Sequence, residues 1–194
     1  MKRIVFATNN AHKLDEMRKI VGDNYEIISL AELGCHEDIP ETADTLEGNA
    51  VMKAQWVHDH YGVDCFSDDT GLEIDALDGR PGVHSARYAT DGHDSEANIN
   101  KVLGELQGVE NRSAHFTTVI ALIMGGELHT FKGQVFGRIL TERHGTGGFG
   151  YDSIFLPDES DGRTFAQMDA DEKGAISHRG RATRALVAFL STLK

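Results

Sequence analysis

Two adjacent carboxylates, Asp68 and Asp69, stand in the acidic segment Ser67-Asp68-Asp69-Thr70-Gly71, directly after a strand-like apolar run. Carboxylates about 4 Å apart repel one another by roughly 4 kcal/mol when the effective dielectric constant is about 20. A divalent cation removes this repulsion, and carboxylate oxygens suit Mg²⁺ or Mn²⁺. A carboxylate beside the metal could also accept a proton from an attacking water molecule. The segment therefore indicates metal-assisted hydrolysis, with a solvated turn as the alternative interpretation.

A second polar segment, residues 8–13, joins the first predicted strand to the first predicted helix. The N–H groups at a helix N-terminus attract anions such as phosphate. Lys13 opposes the helix dipole in the first turn, so a bound anion would relieve its position; an Asn-rich turn with a solvent-facing lysine is the alternative. Glu41 could add a third carboxylate to a metal site, and Lys53 another phosphate contact, although such residues taken alone are usually plain surface.

The glycine-rich segment 145–150 satisfies the G-x-G-x-x-G pattern of dinucleotide-binding proteins. That pattern requires a helix directly afterwards, whereas Tyr151–Leu156 is strand-like, which argues against a dinucleotide-dependent oxidoreductase. A flexible loop is the better interpretation. It would present Phe149 and Tyr151 to a flat base, with Asp152 near the edge of that base.

Three cationic side chains, Lys173, His178 and Arg179, lie within seven residues of an otherwise acidic chain. They could hold a phosphate chain or a base carbonyl. The alternative is a basic helix terminus, but positive charge at a helix N-terminus is locally unfavourable.

The hydrophobic pattern predicts alternating strands and helices, followed by a long hairpin about Gly125-Gly126. This order indicates a mixed α/β sheet, not a purely doubly wound one. The first strand ends in a turn at Asn9-Asn10, residues 34–44 are a loop, and the third strand is expected to stop at Asp68-Asp69. The predicted strands cover 3–8, 25–30, 63–67, 115–124, 127–140 and 151–156, with a short apolar segment at 72–77; the helices cover 11–22, Asp44 (the N-cap) to about 60, a segment capped by Asp94, and a last segment ending at Lys194.

Length and charge narrow the class of protein further. The chain has 194 residues and a net charge of −12, which predicts one domain over residues 1–194. The acidic balance argues against nucleic acid or an anionic membrane as a partner, because both require a basic surface. No apolar run is long enough for a signal peptide or a membrane span. Cys35 and Cys65 are then expected to be reduced thiols in a cytoplasmic protein.

Taken in chain order, six stretches resemble the inosine triphosphate pyrophosphatase family, also called the non-canonical purine NTP pyrophosphatases. They span nearly the whole chain, and their common order makes a chance match hard to obtain. The stretches are Thr8-x-Asn10-x-x-Lys13, Glu47-x-Asn49-Ala50-x-x-Lys53-Ala54, Ser67-Asp68-Asp69-Thr70-Gly71-Leu72, Gly79-Arg80-Pro81-Gly82-Val83-x-Ser85-Ala86-Arg87-Tyr88, Phe149-Gly150-Tyr151-Asp152, and Glu172-Lys173 with Ser177-His178-Arg179.

The resemblance implies an elongated mixed sheet flanked by helices, with two lobes and an active-site cleft between them, usually in a homodimer. It implies Mg²⁺-dependent hydrolysis of ITP, dITP and XTP to the monophosphate and diphosphate, which removes these nucleotides from the pool. Two positions depart from the family pattern: Ser153 stands where proline is frequent, and segment 42–45 is less regular than usual.

The resemblance also implies a role for each matched residue. Asp69 is the proton acceptor, and it holds the metal together with Glu41, while Asp68 is an auxiliary carboxylate. The phosphates and sugar are assigned to Thr8, Asn9, Asn10, Ala11, His12, Lys13, Lys53 and Thr70, with Lys173 nearby. The base and its 6-oxo group are assigned to Phe149, Gly150, Tyr151, Asp152, His178 and Arg179.

Two alternatives remain beside this interpretation. A pyrophosphatase for modified pyrimidine nucleotides would hydrolyse dUTP about as well as ITP. A nucleotide sensor would bind ITP with Mg²⁺ yet release no diphosphate.

Overall fold

Six strands form the sheet in the computed structural model, which describes residues 1–193. Their bounds are β1 (Lys2–Phe6), β2 (Tyr25–Ile28), β3 (Cys65–Ile74), β4 (Ser113–Met124), β5 (Glu127–Ile139) and β6 (Phe155–Pro157). The strand order is β2-β1-β3-β4-β5-β6. Strand β1 pairs in parallel with β2 and β3, whereas β5 and β6 are antiparallel. The predicted mixed α/β sheet is therefore confirmed.

Helices accompany the strands along the chain. They are α1 (Ala11–Val21), α2 (Leu30–Leu33), α3 (Leu46–Tyr61), α4 (Ser95–Glu105), α5 (Ala170–Ile176) and α6 (His178–Ser191). Lys194, the predicted end of the last helix, lies outside the described residues. Within residues 1–193, no helix has the length and apolar character needed to cross a bilayer.

The hairpin of β4 and β5 turns at the two glycines that the sequence indicates. Gly125 and Gly126 have φ values of 59° and 81°. A two-residue turn of this kind requires positive φ at both central positions, which glycine adopts without steric cost. The predicted hairpin is confirmed, and Asp94 caps α4 as predicted by accepting from the Ala97 N–H at 3.0 Å.

Strand β3 does not stop at Asp68-Asp69 as predicted but continues to Ile74. Asp68 is nearly fully buried, and Lys13 Nζ lies 3.0 Å from its carboxylate. A buried carboxylate is tolerated when it is paired and hydrogen-bonded. The strand can therefore carry both acidic residues in its interior, and the segment predicted as 72–77 is its second half.

Three other predicted boundaries of helices and strands are wrong. Thr45, and not Asp44, caps α3, since its hydroxyl accepts from the Gly48 N–H at 2.9 Å. Strand β2 ends at Ile28 because Ser29 caps the short helix α2. The predicted strand 151–156 begins with a 3₁₀ turn over Asp152–Ile154, so β6 starts only at Phe155.

The described chain divides into two compact units. The first unit comprises residues 1–69, 118–133 and the described part of the segment that begins at Gly180. Its core includes Ile4, Phe6, Met17, Phe66, Ile120 and Leu186. The second unit comprises residues 70–117 and 134–179. Its core includes Leu72, Ile99, Val102, Phe116, Phe155 and Phe165.

Phe66→Ala should destabilise the first unit by about 3–5 kcal/mol, because it removes a fully buried aromatic side chain. The Phe66 ring stacks on Phe6 with centroids 4.5 Å apart, so the substitution also removes this contact. Urea denaturation measures the loss. Leu128→Ala is the control, since Leu128 is 47 % exposed and should change stability by no more than about 0.5 kcal/mol. A loss below about 1 kcal/mol for Phe66→Ala would contradict this packing.

Candidate active site

The acidic segment of β3 lies among cations that belong to the first unit. Lys13 Nζ pairs with the Asp68 carboxylate, and Lys53 Nζ donates to the Asp68 backbone carbonyl. Lys53 Nζ also lies 2.8 Å from Glu41 Oε1. Lys13, Lys53, Glu41 and Asp68 therefore converge from four separate segments of sequence.

Helix α3 brings Lys53 to this place by packing directly on β3. The Ser67 hydroxyl donates to the Ala50 carbonyl, and Cys65 Sγ donates to the Ala54 carbonyl at 3.2 Å. Burial raises the pKa of the Cys65 thiol to about 12, so this cysteine is an unreactive packing group. These contacts fix the helix face that carries Lys53 against the strand that carries Asp68.

Lys53 is a buried cation and not the plain surface residue that its isolated position would suggest. Its exposure is 8 %. Burial disfavours the charged form, but Asp68 and Glu41 outweigh that effect and raise the pKa of Lys53. Lys53 therefore holds a permanent positive charge beside the acidic segment.

Asp69 is a partly buried carboxylate on β3. Burial raises the pKa of Asp69 to about 6, and nearby Glu41 and Asp68 add to this rise while Lys53 opposes it. A general base works best when its pKa lies near the operating pH. The environment of Asp69, unlike that of an exposed aspartate, provides such a pKa.

The carboxylates fit a metal that completes its coordination with phosphate and water. Within residues 1–193, no cluster of three or more His, Cys, Asp or Glu side chains could hold an ion unaided. Mg²⁺ is commonly bound by one or two carboxylates plus substrate phosphates and water. Glu41 and Asp69 would supply two such carboxylates, and repulsion from Glu41 contributes to the raised pKa of Asp69. A divalent cation would offset this repulsion.

The predicted phosphate loop, residues 8–13, is ordered by its own side chains. Asn10 caps α1 by accepting from the Lys13 N–H at 3.2 Å, and the Thr8 hydroxyl accepts from the Asn10 N–H at 3.1 Å. Asn9 accepts from the Ala31 N–H at 2.9 Å. Most of this loop is exposed, His12 and Ala11 included. The N-terminus of α1 is therefore accessible to solvent, and Lys13 in its first turn pairs with Asp68.

The second unit contains a separate cluster around Phe149. Asp152 Oδ2 accepts from Lys173 Nζ at 2.7 Å and from the Phe149 N–H at 3.1 Å. Lys173 Nζ lies 4.2 Å from the centre of the Phe149 ring. Lys173, assigned near the phosphates by resemblance, is thus paired with Asp152. The pair holds the loop that includes Gly150.

The glycine pattern at 145–150 serves close packing of this loop. A Cβ on Gly148 would lie 2.2 Å from Asp152 Oδ2. Gly148 also has a φ of 66°, which favours glycine. A side chain at this position would displace the carboxylate that holds Lys173. The sequence pattern is thus satisfied without a dinucleotide-binding helix, as predicted.

His178 and Arg179 begin α6 and are buried at 4 % and 3 % exposure. The His178 ring stacks on Phe116 with centroids 4.7 Å apart. The Arg179 guanidinium lies 5.5 Å from the centre of the Phe149 ring and within 3.5 Å of the Thr70 hydroxyl. Both residues lie at a helix terminus, as in the alternative interpretation, but their side chains are buried. Thr70, Phe149, His178 and Arg179 are thus brought together in the second unit.

Tyr151, which the sequence predicts to face a flat base together with Phe149, is held by a hydrogen bond within the second unit. Its side chain is buried, and its hydroxyl donates to the Ser85 carbonyl at 2.6 Å. Burial raises the pKa of Tyr151. The Ser85 hydroxyl accepts from the Leu72 N–H at 2.9 Å. The sequence predicts no role for Ser85 beyond its place in the Gly79–Tyr88 stretch, yet Ser85 joins the Tyr151 loop to β3.

The fold and these two clusters can be compared with those of known protein families. The model of the Ham1 family matches residues 4–189, and the chain belongs to that family. A relative from Porphyromonas gingivalis, named dITP/XTP pyrophosphatase, is 52 % identical, and the match covers 100 % of both chains. A Bacillus subtilis relative of the same name is 45 % identical, with 98 % of each chain covered.

Solved structures agree with this assignment. The Staphylococcus aureus Ham1 protein superposes with a TM-score of 0.92 at 39 % identity, and 100 % of each chain is covered. A Ham1 protein from Coxiella burnetii gives a TM-score of 0.91 at 38 % identity, covering 99 % of this chain and 100 % of that one. The fold of this chain is therefore the Ham1 fold.

Lys173→Met should destabilise the protein by about 3–5 kcal/mol, because it leaves the buried Asp152 charge without its cation. Adding Asp152→Asn should recover at least about 1 kcal/mol, since the two side chains are in direct contact. Urea denaturation of both single variants and the double variant measures this coupling.

Arg3→Met is the matched control for that experiment. Arg3 forms an exposed ion pair with Glu26 at 3.1 Å, and such pairs contribute about 1 kcal/mol or less. Strictly additive effects of Lys173→Met and Asp152→Asn would show that the two side chains are not paired.

Proposed function

We propose that this chain is a Mg²⁺-dependent nucleoside triphosphate pyrophosphatase that converts ITP, dITP and XTP to the monophosphate and diphosphate. The observation that carries the proposal is the convergence of cations on the acidic segment, where Lys13 Nζ lies 3.0 Å from the Asp68 carboxylate and Lys53 Nζ lies 2.8 Å from Glu41. The names of the full-length relatives give the substrate class. Turnover of these nucleotides would remove them from the nucleotide pool.

In this proposal, the first unit binds the phosphate chain. Glu41 and Asp69 would hold Mg²⁺, for which Mn²⁺ could substitute, and the bound ion would neutralise charge that develops on the phosphates. Lys53 supplies a buried positive charge, and the exposed loop at residues 8–13 supplies a helix N-terminus. Lys13 remains close through its pairing with Asp68.

Asp69 performs the proton transfer in this proposal. Its carboxylate orients a water molecule, accepts its proton and directs the oxygen to the α-phosphorus. The bond from that phosphorus to the bridging oxygen breaks, and diphosphate leaves. Without a metal ion, burial raises the pKa of Asp69 to about 6, so its carboxylate is still mostly ionised and able to accept a proton at neutral pH.

The second unit recognises the base in this proposal. Phe149 provides an aromatic face, Asp152 and Lys173 hold its loop, and His178 and Arg179 supply donors for a 6-oxo group. A 6-amino group would leave such buried donors unpaired, which is strongly penalised. The homodimer implied by the family resemblance and the cytoplasmic location expected from the sequence are part of the same proposal.

Asp69→Asn should lower the turnover of ITP by about 10²–10⁴-fold, because an amide cannot accept the proton from water. The measurement is the rate of diphosphate release at saturating Mg²⁺, with circular dichroism to verify that the fold is intact. Asp75→Asn is the control, since Asp75 is an exposed aspartate directly after the same strand. Retention of more than a tenth of the wild-type turnover by Asp69→Asn would overturn the role given to Asp69.

A further inference from the structure

Ser85 is a buried residue that joins separate segments of the second unit. It lies in the 3₁₀ turn Gly82–Arg87 with an exposure of 8 %. Its hydroxyl accepts from the Leu72 N–H at 2.9 Å, and its carbonyl accepts from the Tyr151 hydroxyl at 2.6 Å. A single residue thus connects β3 with the Phe149 loop, which comprises residues 149–152.

The Ser85 carbonyl is itself held in place by helix α4. Asn98 Nδ2 donates to this carbonyl at 3.4 Å and to the Ala86 carbonyl at 3.0 Å. Asn98 is buried at 3 % exposure, and its Oδ1 accepts from the Ala89 N–H at 2.8 Å. The Tyr151 hydroxyl therefore bonds to an acceptor whose position is set by a regular helix. Burial raises the pKa of Tyr151, so this hydroxyl keeps its proton and remains a donor.

The same short stretch of β3 also holds Arg179. The Thr70 hydroxyl accepts from the Arg179 guanidinium at 3.5 Å, and this guanidinium lies 5.5 Å from the centre of the Phe149 ring. Leu72, the partner of the Ser85 hydroxyl, stands two residues after Thr70 on the strand. The guanidinium and the Phe149 loop are therefore both referred to one segment of β3, which sets the distance between them.

The distance between Phe149 and Arg179 bears on the choice of base in the proposed function. Stacking on an aromatic ring tolerates every base, because each base has a π-face. Selection therefore depends on whether the 6-position of a stacked base meets the Arg179 donors. A base that followed a displaced ring would keep its stacking contact but lose that hydrogen bond.

We infer that Tyr151 is a positioning residue for base selection, whose hydroxyl, bonded to Ser85, sets the Phe149 ring relative to the Arg179 donors. This inference rests on the proposed function, because Phe149 and Arg179 recognise the base only in that proposal. It replaces the stacking role that the sequence suggests for Tyr151. The side chain of Tyr151 is 5 % exposed, which leaves little of its ring for a base to contact.

Tyr151→Phe should lower the ratio of kcat/KM for ITP to kcat/KM for ATP by about three- to tenfold, the range expected for loss of one hydrogen bond of ordinary strength. The value for ITP should fall and that for ATP should not, because ATP has no 6-oxo contact to lose. A variant that merely folds less well lowers both values together and leaves the ratio unchanged. Diphosphate release at saturating Mg²⁺ measures both values.

Ser85→Ala interrupts the same path at the strand. It removes the hydroxyl that accepts from the Leu72 N–H but leaves the carbonyl that accepts from Tyr151. The ratio should fall in this variant as well. The double variant should lower the ratio no further than the larger of the two single effects, because both changes break one chain of contacts. Effects that multiply in the double variant would contradict this path.

Tyr25→Phe is the matched control. The Tyr25 hydroxyl also donates to a backbone carbonyl, that of Leu190 at 3.3 Å, but both residues belong to the first unit. This variant should keep the wild-type ratio.

The inference and the proposed function fail in different ways. If Tyr151→Phe kept the wild-type ratio, as Tyr25→Phe is expected to do, the inference would be wrong while the proposed function stood. Should Tyr151→Phe fail to fold, an unchanged ratio in Ser85→Ala would contradict the inference in its place. A wild-type protein that releases no diphosphate from ITP would overturn the proposed function, and this inference with it, before any variant is compared.

Discussion

The burial of carboxylates beside fixed lysines is the interaction on which the candidate active site depends. Asp68 is 1 % exposed, and its charge is tolerated because Lys13 and Lys53 approach its side chain and its carbonyl. This neutralisation allows β3 to continue through two adjacent acidic residues. Asp69 then remains within a strand, in surroundings that raise its pKa. A solvated turn would provide neither property.

Helix α3 carries most of the groups that make this arrangement possible. Lys53 and Asn49 lie on one helix that is fastened to β3 by side-chain hydrogen bonds to its backbone carbonyls. The helix also holds the Glu41 loop, through the Lys53 ion pair and the hydrogen bond that Asn49 Oδ1 accepts from the Ala43 N–H. The metal ligands of the proposed function would therefore be positioned by one element. In the second unit, Asp152 similarly positions Phe149 and Lys173 by accepting a hydrogen bond from each.

Features governed by nearby residues could be predicted from the sequence. The Gly125-Gly126 hairpin and the Asp94 cap depend on local backbone chemistry. Features that depend on distant partners could not be predicted. Lys13 stabilises Asp68 from 55 positions away, and Tyr151 donates to Ser85 from 66 positions away. Neither charge spacing nor hydrophobic periodicity contains these contacts, so the end of β3 was predicted from local signals alone and the burial of Tyr151 was not indicated.

The claim that water attacks the α-phosphorus is tested most directly by finding which product receives the oxygen atom of that water. ITP should be hydrolysed in water enriched in ¹⁸O, and both products examined by ³¹P NMR or mass spectrometry. Attack on the α-phosphorus by a water molecule that Asp69 deprotonates places one ¹⁸O in the monophosphate and none in the diphosphate. Label in the diphosphate would contradict the account, because attack would then occur at a phosphorus that the acidic site is not proposed to serve.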